Sequence, residues 1–252
     1  MRFYHLLFVI GIIGSAQSCK VKDYQSDARP ITHELWDSLV REHVDEQGWV
    51  NYEGFIADSN RLNTYLELLS QHHPNDRHWS RDEQLAYWIN AYNAFTVKLI
   101  VDHYPVESIK DIKNGIPFVN TVWDIKFIKI EDREYDLNNI EHGIIRPKFK
   151  DPRIHMAVNC ASISCPKLLN EAFTAKRLDE QLDQAARDFL SDPDKNIIES
   201  ASQLKLSKIF SWYSGDFDSV VRFVDKYTET DIDRNPDIEY LDYDWGLNKQ
   251  KE

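Results

Sequence analysis

Five side chains in the middle third of the 252-residue chain are of types that perform covalent chemistry: Glu141, His142, His155, Cys160 and Cys165. Cysteine is nucleophilic as its thiolate, so catalysis requires a nearby base or cation to lower the thiol pKa and a third group to hold that base. Both cysteines lie in the stretch His155-Met156-Ala157-Val158-Asn159-Cys160-Ala161-Ser162-Ile163-Ser164-Cys165-Pro166. Cys160, expected to emerge at the end of a strand, is the preferred nucleophile. Cys165 stands before Pro166, a residue suited to a helix start, where free amides stabilise a thiolate. His142 or His155 is the candidate base, with Glu141 or an asparagine fixing its tautomer. Backbone amides from Ala161 to Cys165 would then hold the oxyanion of an acyl transfer.

Other chemistries compete for the same residues. Two cysteines five positions apart can close a small disulfide loop, whose stabilisation falls toward the lower part of the usual ~2–4 kcal/mol. A redox pair is a further alternative, although the spacing is not Cys-x-x-Cys. No His-Glu-x-x-His or paired-cysteine zinc spacing is present, and His72-His73 lie beside Pro74 in a polar stretch, so no metal site is expected. Neither a glycine-rich phosphate loop nor a Gly-x-Ser-x-Gly elbow occurs, so no cofactor is expected.

The elements that must position these groups follow from periodicity. The positions Trp36, Leu39, Val40 and Val44 recur at helical spacing, and a second helix is predicted over residues 62–69. Ser80-Arg81-Asp82-Glu83 has the spacing of a capping box, so a long helix should follow and end before Pro105. That helix carries Leu85, Trp88, Tyr92, Phe95 and Leu99 on an apolar face, with Asn90 and Asn93 together on another stripe. The two amides either orient a catalytic group or brace a neighbouring loop; bracing is the commoner use of a buried amide.

Residues 123–129 alternate with Ile125, Phe127 and Lys129 on one side, and the charged Glu131-Asp132-Arg133-Glu134 turn suggests a hairpin. Asp136 is placed to cap a helix bearing Glu141, His142 and Arg146, which Pro147 ends shortly after. Residues 153–158 read as a buried strand, which would put His155 and Asn159 on the face opposite Cys160. Further helices are expected around Leu178 to Phe189 and Val220 to Val224, with a short strand at Leu204-Lys205-Leu206. This order predicts an α+β fold with helices around a small, mainly antiparallel sheet, resembling thiol-protease-like folds.

The amino terminus has its own signature. Arg2, an apolar run from Leu6 to Ile13, and small or polar residues leading to Cys19 are read as a secretory signal over residues 1–18, with Cys19 as a lipidation site. The run is shorter than the roughly 20 residues of a spanning helix. Export to the cell envelope or periplasm with a lipid anchor is therefore expected. Residues 19–31 are read as a tether, 32–248 as one domain and 249–252 as a polar tail. Hydrophobic content of 42% suits a globular domain. The formal charge is 30 minus 42, or −12, and loss of Arg2 with the leader makes it −13. An acidic surface argues against nucleic acid as a partner, leaving a peptide or small-molecule ligand and a membrane reached only through the lipid.

Four blocks carry a resemblance: Tyr87-Trp88-Ile89-Asn90-Ala91-Tyr92-Asn93-Ala94, Glu141-His142-Gly143-Ile144-Ile145-Arg146-Pro147, the His155 to Pro166 stretch, and Tyr243-Asp244-Trp245-Gly246-Leu247-Asn248. In this order they resemble the hallmark blocks of domain-of-unknown-function family five-four-seven, from about Leu35 to Asn248. The resemblance implies an exported bacterial protein of unassigned activity, and the family's association with glutaredoxin domains in eukaryotes points to thiol chemistry. Two functions remain open. One is a thiol hydrolase or acyltransferase acting on a peptide or amide, using Cys160, His142 or His155, and Glu141, supported by Asn90, Asn93, Arg146, Asn159, Ser162, Ser164 and Cys165. The other is a lipid-tethered binding or assembly module closed by a Cys160-Cys165 disulfide.

Overall fold

A computed structural model describes residues 24–113 and 121–251. The leader and Cys19 lie outside the described residues. Helix α1 (Glu34–His43), α2 (Tyr52–Ala57) and α3 (Ser59–Ser70) precede the organising element, α4 (Arg81–His103). The predicted capping box is formed: the Glu83 N–H donates to Ser80 Oγ at 3.2 Å, and the Ser80 N–H to Glu83 Oε2 at 2.7 Å. Every residue of α4 from Gln84 to Val97 is buried. The helix is therefore covered on all sides rather than along one stripe, which places Asn90 and Asn93 in the interior. Trp36 of α1 stacks on Tyr65 of α3 at 5.7 Å, closing the core on the amino-terminal side.

The hairpin consists of β1 (Ile128–Ile130) and β2 (Arg133–Tyr135), paired antiparallel. Its phase differs from the sequence expectation: Ile128 and Ile130 face the core, and Val122–Asp124 form a 3-10 turn instead of extended chain. The cause is local. Asp124 accepts the N–H and hydroxyl of Thr121, both at 2.8 Å, and this side-chain bonding competes with strand pairing.

Asp136 accepts the N–H of Asn139 at 2.6 Å and starts the next helical segment as expected. Residues Asn139–Ile145 wind as a π-helix before α5 (Arg146–Phe149). Pro147 thus falls inside the helical run rather than ending it. It has no N–H to donate, and the wider winding upstream takes up that mismatch.

The largest correction concerns residues 153–158, which are not a strand. Pro152–Met156 form a 3-10 turn, with Asp151 accepting the Arg153 N–H at 3.0 Å. A capping aspartate followed by proline outweighs the apolar run. Arg153 pins the turn by bonding the carboxylates of Asp151, Asp179 and Asp183 at 2.7, 2.7 and 2.6 Å. His155 and Cys160 are consequently not held on opposite faces of a sheet.

A second apolar cluster is built from α6 (Leu178–Ser191), β3 (Ile197–Ser200), β4 (Gln203–Leu206), α7 (Lys208–Trp212), α8 (Val220–Tyr227) and β5 (Asp237–Tyr240). Its sheet has the order β3-β4-β5, antiparallel then parallel. The fold is α+β. The sheet content, however, is split between this sheet and the hairpin, and of the three strands here only β4 is expected from the sequence. After β5 the chain returns to the first core as a strap. Ile163 donates to Gly246 O at 2.8 Å, and Val50 to Asn248 O at 2.9 Å.

Residues near both ends of the described chain bond to the domain. Asn75 and Trp79 side chains each donate to Ala28 O at 2.9 Å, and the Gln250 N–H donates to Val50 O at 3.0 Å. Among the described residues, no helix is long and apolar enough to cross a membrane.

Candidate functional site

The Cys160 loop is anchored from within α4. Asn93 donates to Ala157 O at 2.9 Å and accepts the Asn159 N–H at 2.8 Å. Asn159 in turn donates to Pro166 O at 2.7 Å and accepts the Ala161 N–H at 2.8 Å. Asn90 makes the equivalent pair of bonds with Phe173 O and N–H, at 2.8 and 3.0 Å. All three asparagines therefore brace backbone, the bland reading, and none lines the site cavity. Between these anchors Ala161 has φ of 59°, a left-handed conformation that costs an alanine of order 1 kcal/mol or more.

Cys160 is partly exposed, Cys165 is buried, and both are free thiols. The two sulfurs lie 2.8 Å apart, and the Cys160 N–H donates to Cys165 Sγ at 2.9 Å. Ser162 Oγ and Tyr243 Oη lie 3.2 and 3.3 Å from Cys160 Sγ. The Cys165 hydrogen bond, aided by Ser162 and Tyr243, lowers the Cys160 thiol pKa against opposing burial; Glu141 also opposes it. Burial pushes the Cys165 thiol up. One sulfur is thus prepared to ionise and the other to remain a donor.

Cys160 opens into a cavity of 370 Å³ whose wall also includes Tyr92, Glu141, His142, His155, Tyr213 and Tyr243. A larger depression of 800 Å³ beside α1 contains no nucleophilic thiol. No direct hydrogen bond joins Cys160 to either histidine. The two rings differ in what they offer. His155 is 2% exposed and its Nε2 lies 2.7 Å from Asp216 Oδ2. The His155 bond and the Arg146 guanidinium hold the Asp216 carboxyl well below its ordinary pKa. An ionised Asp216 can only accept, so Nε2 carries a proton, and in the neutral ring the lone pair is on Nδ1. That Nδ1 is buried without a hydrogen-bond partner. Tyr213 stacks on the ring at 4.0 Å. In contrast, His142 Nδ1 accepts from Arg146 Nη1 at 2.8 Å, which occupies its lone pair.

Arg146 also grips Asp216 through two bonds of 2.5 and 3.0 Å and lies over the Tyr213 ring at 5.0 Å. It positions both members of the His155 pair's support. Glu141 is buried, near enough to the Tyr213 phenol to raise its pKa together with burial, and 3.9 Å from His142.

Of the amides expected to form an oxyanion hole, that of Ser162 alone has no acceptor within the protein among the described residues. The N–H groups of Cys160, Ala161, Ile163, Ser164 and Cys165 all donate within the protein. Beside Cys160 there are also the hydroxyls of Ser162 and Tyr243, themselves 3.1 Å apart. Ser164 Oγ accepts the Asp244 N–H at 2.9 Å and serves the strap rather than the cavity.

Asp216, Tyr213 and Tyr243 were not identified as site residues from sequence. Asp216 reaches His155 across 61 positions, and no short motif announces such a contact. Tyr243 lies in a block already singled out, but with no role attached. As to metals, Glu42, His43 and Asp58 offer three ligand atoms near one another. Arg61 Nη1 bonds Glu42 and Asp58 there at 2.8 and 2.7 Å, filling the place of a cation.

No curated protein and no solved structure matches the chain. Residues 77–190 match the model of a family described as a protein of unknown function, DUF547. The match takes in α4, the π-helical turn, the His155 turn and both cysteines, whereas Tyr213, Asp216 and Tyr243 lie beyond it. Residues 77–190 therefore carry a DUF547 family domain.

Proposed function

We propose that the protein is a thiol-dependent hydrolase or acyltransferase acting on a peptide or amide, with Cys160 as nucleophile, His155 as base and Asp216 orienting the ring. The observation that carries this reading is the unpartnered Nδ1 of His155, a residue that lines the cavity into which Cys160 opens. His155 Nδ1 takes the Cys160 proton, and the sulfur attacks the carbonyl carbon. Tyr243 and Ser162 hydroxyls donate to the developing oxyanion, and burial, which raises the Tyr243 pKa, keeps its phenol protonated. The proton on Nδ1 passes to the leaving amine as the C–N bond breaks, leaving a thioester. Water or an acceptor amine then attacks it with His155 again as base, releasing the Cys160 sulfur. An apo site in which base and nucleophile share a cavity without touching is compatible with this sequence, because such contacts tighten on substrate binding.

The test is the pH dependence of Cys160 alkylation by iodoacetamide, followed by mass spectrometry in the wild type, Cys160→Ser and His155→Gln. Modification that persists below pH 7, vanishes in Cys160→Ser and slows about tenfold in His155→Gln is the expected result. An unreactive Cys160-Cys165 bridge, or a profile of an ordinary thiol near pKa ~8.5 unchanged by His155→Gln, would overturn it. The 2.8 Å sulfur separation favours a second reading, a dithiol redox pair, which predicts reversible loss of both free thiols with glutathione disulfide. Envelope location through a lipid on Cys19 belongs to the same proposal. It predicts fatty-acid labelling that Cys19→Ala abolishes.

A further inference from the structure

Glu141 is the carboxylate of the cavity wall, 5% exposed, on the π-helical turn. Among the described residues, no lysine or arginine forms an ion pair with it, although the Arg146 guanidinium acts on it through space. The guanidinium of Arg146 is committed, giving Nε and Nη2 to Asp216 and Nη1 to His142 Nδ1. Since His142 Nδ1 accepts that bond, it bears no proton, and its 3.9 Å approach to Glu141 Oε1 is not an ion pair. A buried carboxylate without a cation is costly to maintain, and a bound cation removes that cost.

The rest of the wall is rich in π faces. Trp212 and Trp245 pack against Tyr243 at 4.8 and 4.6 Å, and Trp212 is 48% exposed, a large apolar ring left open to solvent. Tyr213 and Tyr92 line the same cavity. Aromatic faces that share a cavity wall with a buried carboxylate are the two ingredients of ammonium recognition, since the ring quadrupole attracts a cation that the carboxylate neutralises.

We propose that this cavity binds the alkylammonium group of a cationic ligand, with Glu141 as counter-ion and the rings of Trp212, Tyr213 and Tyr243 around it. Combined with the thiol reading, on which only this extension rests, the acyl substrate carries that ammonium close to its reacting carbonyl. The arrangement links binding to activation. The Glu141 charge works against ionisation of Cys160, so a bound ammonium favours the thiolate at the moment a substrate is present.

Binding is measured apart from the chemistry, in Cys160→Ser, by quenching of tryptophan fluorescence with n-butylammonium chloride and, as an uncharged control, n-butanol. Saturable quenching by the ammonium and not the alcohol is expected, with the dissociation constant raised at least about tenfold by Glu141→Gln. Equal response to both compounds, or none to either, would overturn the ammonium site whatever the thiol does. Because the comparison of the two ligands needs no variant at Glu141, a misfolded Glu141→Gln leaves the test intact.

A second measurement uses the wild type in 1 M NaCl, where screening over ~3 Å removes the general field of the acidic surface. Cys160 is modified with trimethylammonioethyl, methyl and sulfonatoethyl methanethiosulfonates. In each case the thiolate attacks the sulfenyl sulfur, forms a mixed disulfide and expels methanesulfinate. A cationic-to-anionic rate ratio about tenfold above that of free N-acetylcysteine supports the site. A ratio equal to that of N-acetylcysteine counts against it, even where rapid reaction with the neutral reagent upholds Cys160 as a reactive thiol.

Discussion

On one side of the Cys160 loop the interior holds Asn90, Asn93 and Asn159, and on the other the cavity wall holds Glu141, His155 and Cys160. Both sets are polar and enclosed, yet the amides are bonded at both oxygen and nitrogen, whereas His155 Nδ1 has no partner and Glu141 no cation at ion-pair distance. The contrast separates support from chemistry. A polar group whose bonding capacity is filled by its own chain holds that chain in place. One left with a lone pair or a charge to spare is available to something that enters from outside.

The comparison is broken most severely at Asp216. Asp216→Asn should lower the release of p-nitrophenolate from p-nitrophenyl acetate about 100-fold, because the wrong His155 tautomer presents no lone pair. An unchanged rate would leave the His155 pair as one more brace. On the supporting side, Asn93→Ala removes two bonds to buried backbone and should cost about 2–4 kcal/mol in urea unfolding. A loss below about 0.5 kcal/mol would mean that the loop holds itself.

His33 sharpens the comparison through pH. Its Nδ1 is bonded to the Tyr65 hydroxyl at 2.7 Å, and burial lowers its pKa from 6.5 to about 4. The folded state therefore disfavours its proton. Its contribution to stability is present above the unfolded pKa of 6.5, falls as pH drops toward 4, and can reach about 3 kcal/mol. Urea midpoints measured from pH 7 to 4 should decline less in His33→Gln than in the wild type. Parallel curves would refute the assignment. The smallest effect is expected at Ala161→Gly. Relief of the left-handed strain and the added chain entropy nearly cancel, for a net change under about 1 kcal/mol by the same unfolding measurement.

What sequence could reveal followed the range of the interactions. The capping box at Ser80 and Glu83, the Asp136 cap and the amphipathic spacing of α6 act within four residues or one helical face, and each was readable. The identities of Cys160, His155 and Glu141 as candidates were readable from type and clustering. Residues 153–158 depart from the strand expectation because an unbroken apolar run has no period to choose by, and the Asp151-Pro152 start signal just ahead of it decides for a turn. Asp216 and Tyr213 lay beyond reach for another reason: they meet His155 through tertiary folding of the second cluster, which no spacing along the chain encodes.

The returning strap has a consequence in time as well as in space. Tyr243, which lies against the Cys160 sulfur, follows it by 83 positions in the chain. In a chain made or threaded from its amino end, both thiols appear long before the residue that cradles one of them. Throughout that interval Cys160 and Cys165 share a short loop without Tyr243 or the Gly246 and Asn248 contacts that shape it. Any oxidant met during that passage encounters a different pair of thiols from the one in the finished protein. The redox history of a young chain, as much as its final shape, then decides how many molecules reach maturity with the Cys160 thiol free.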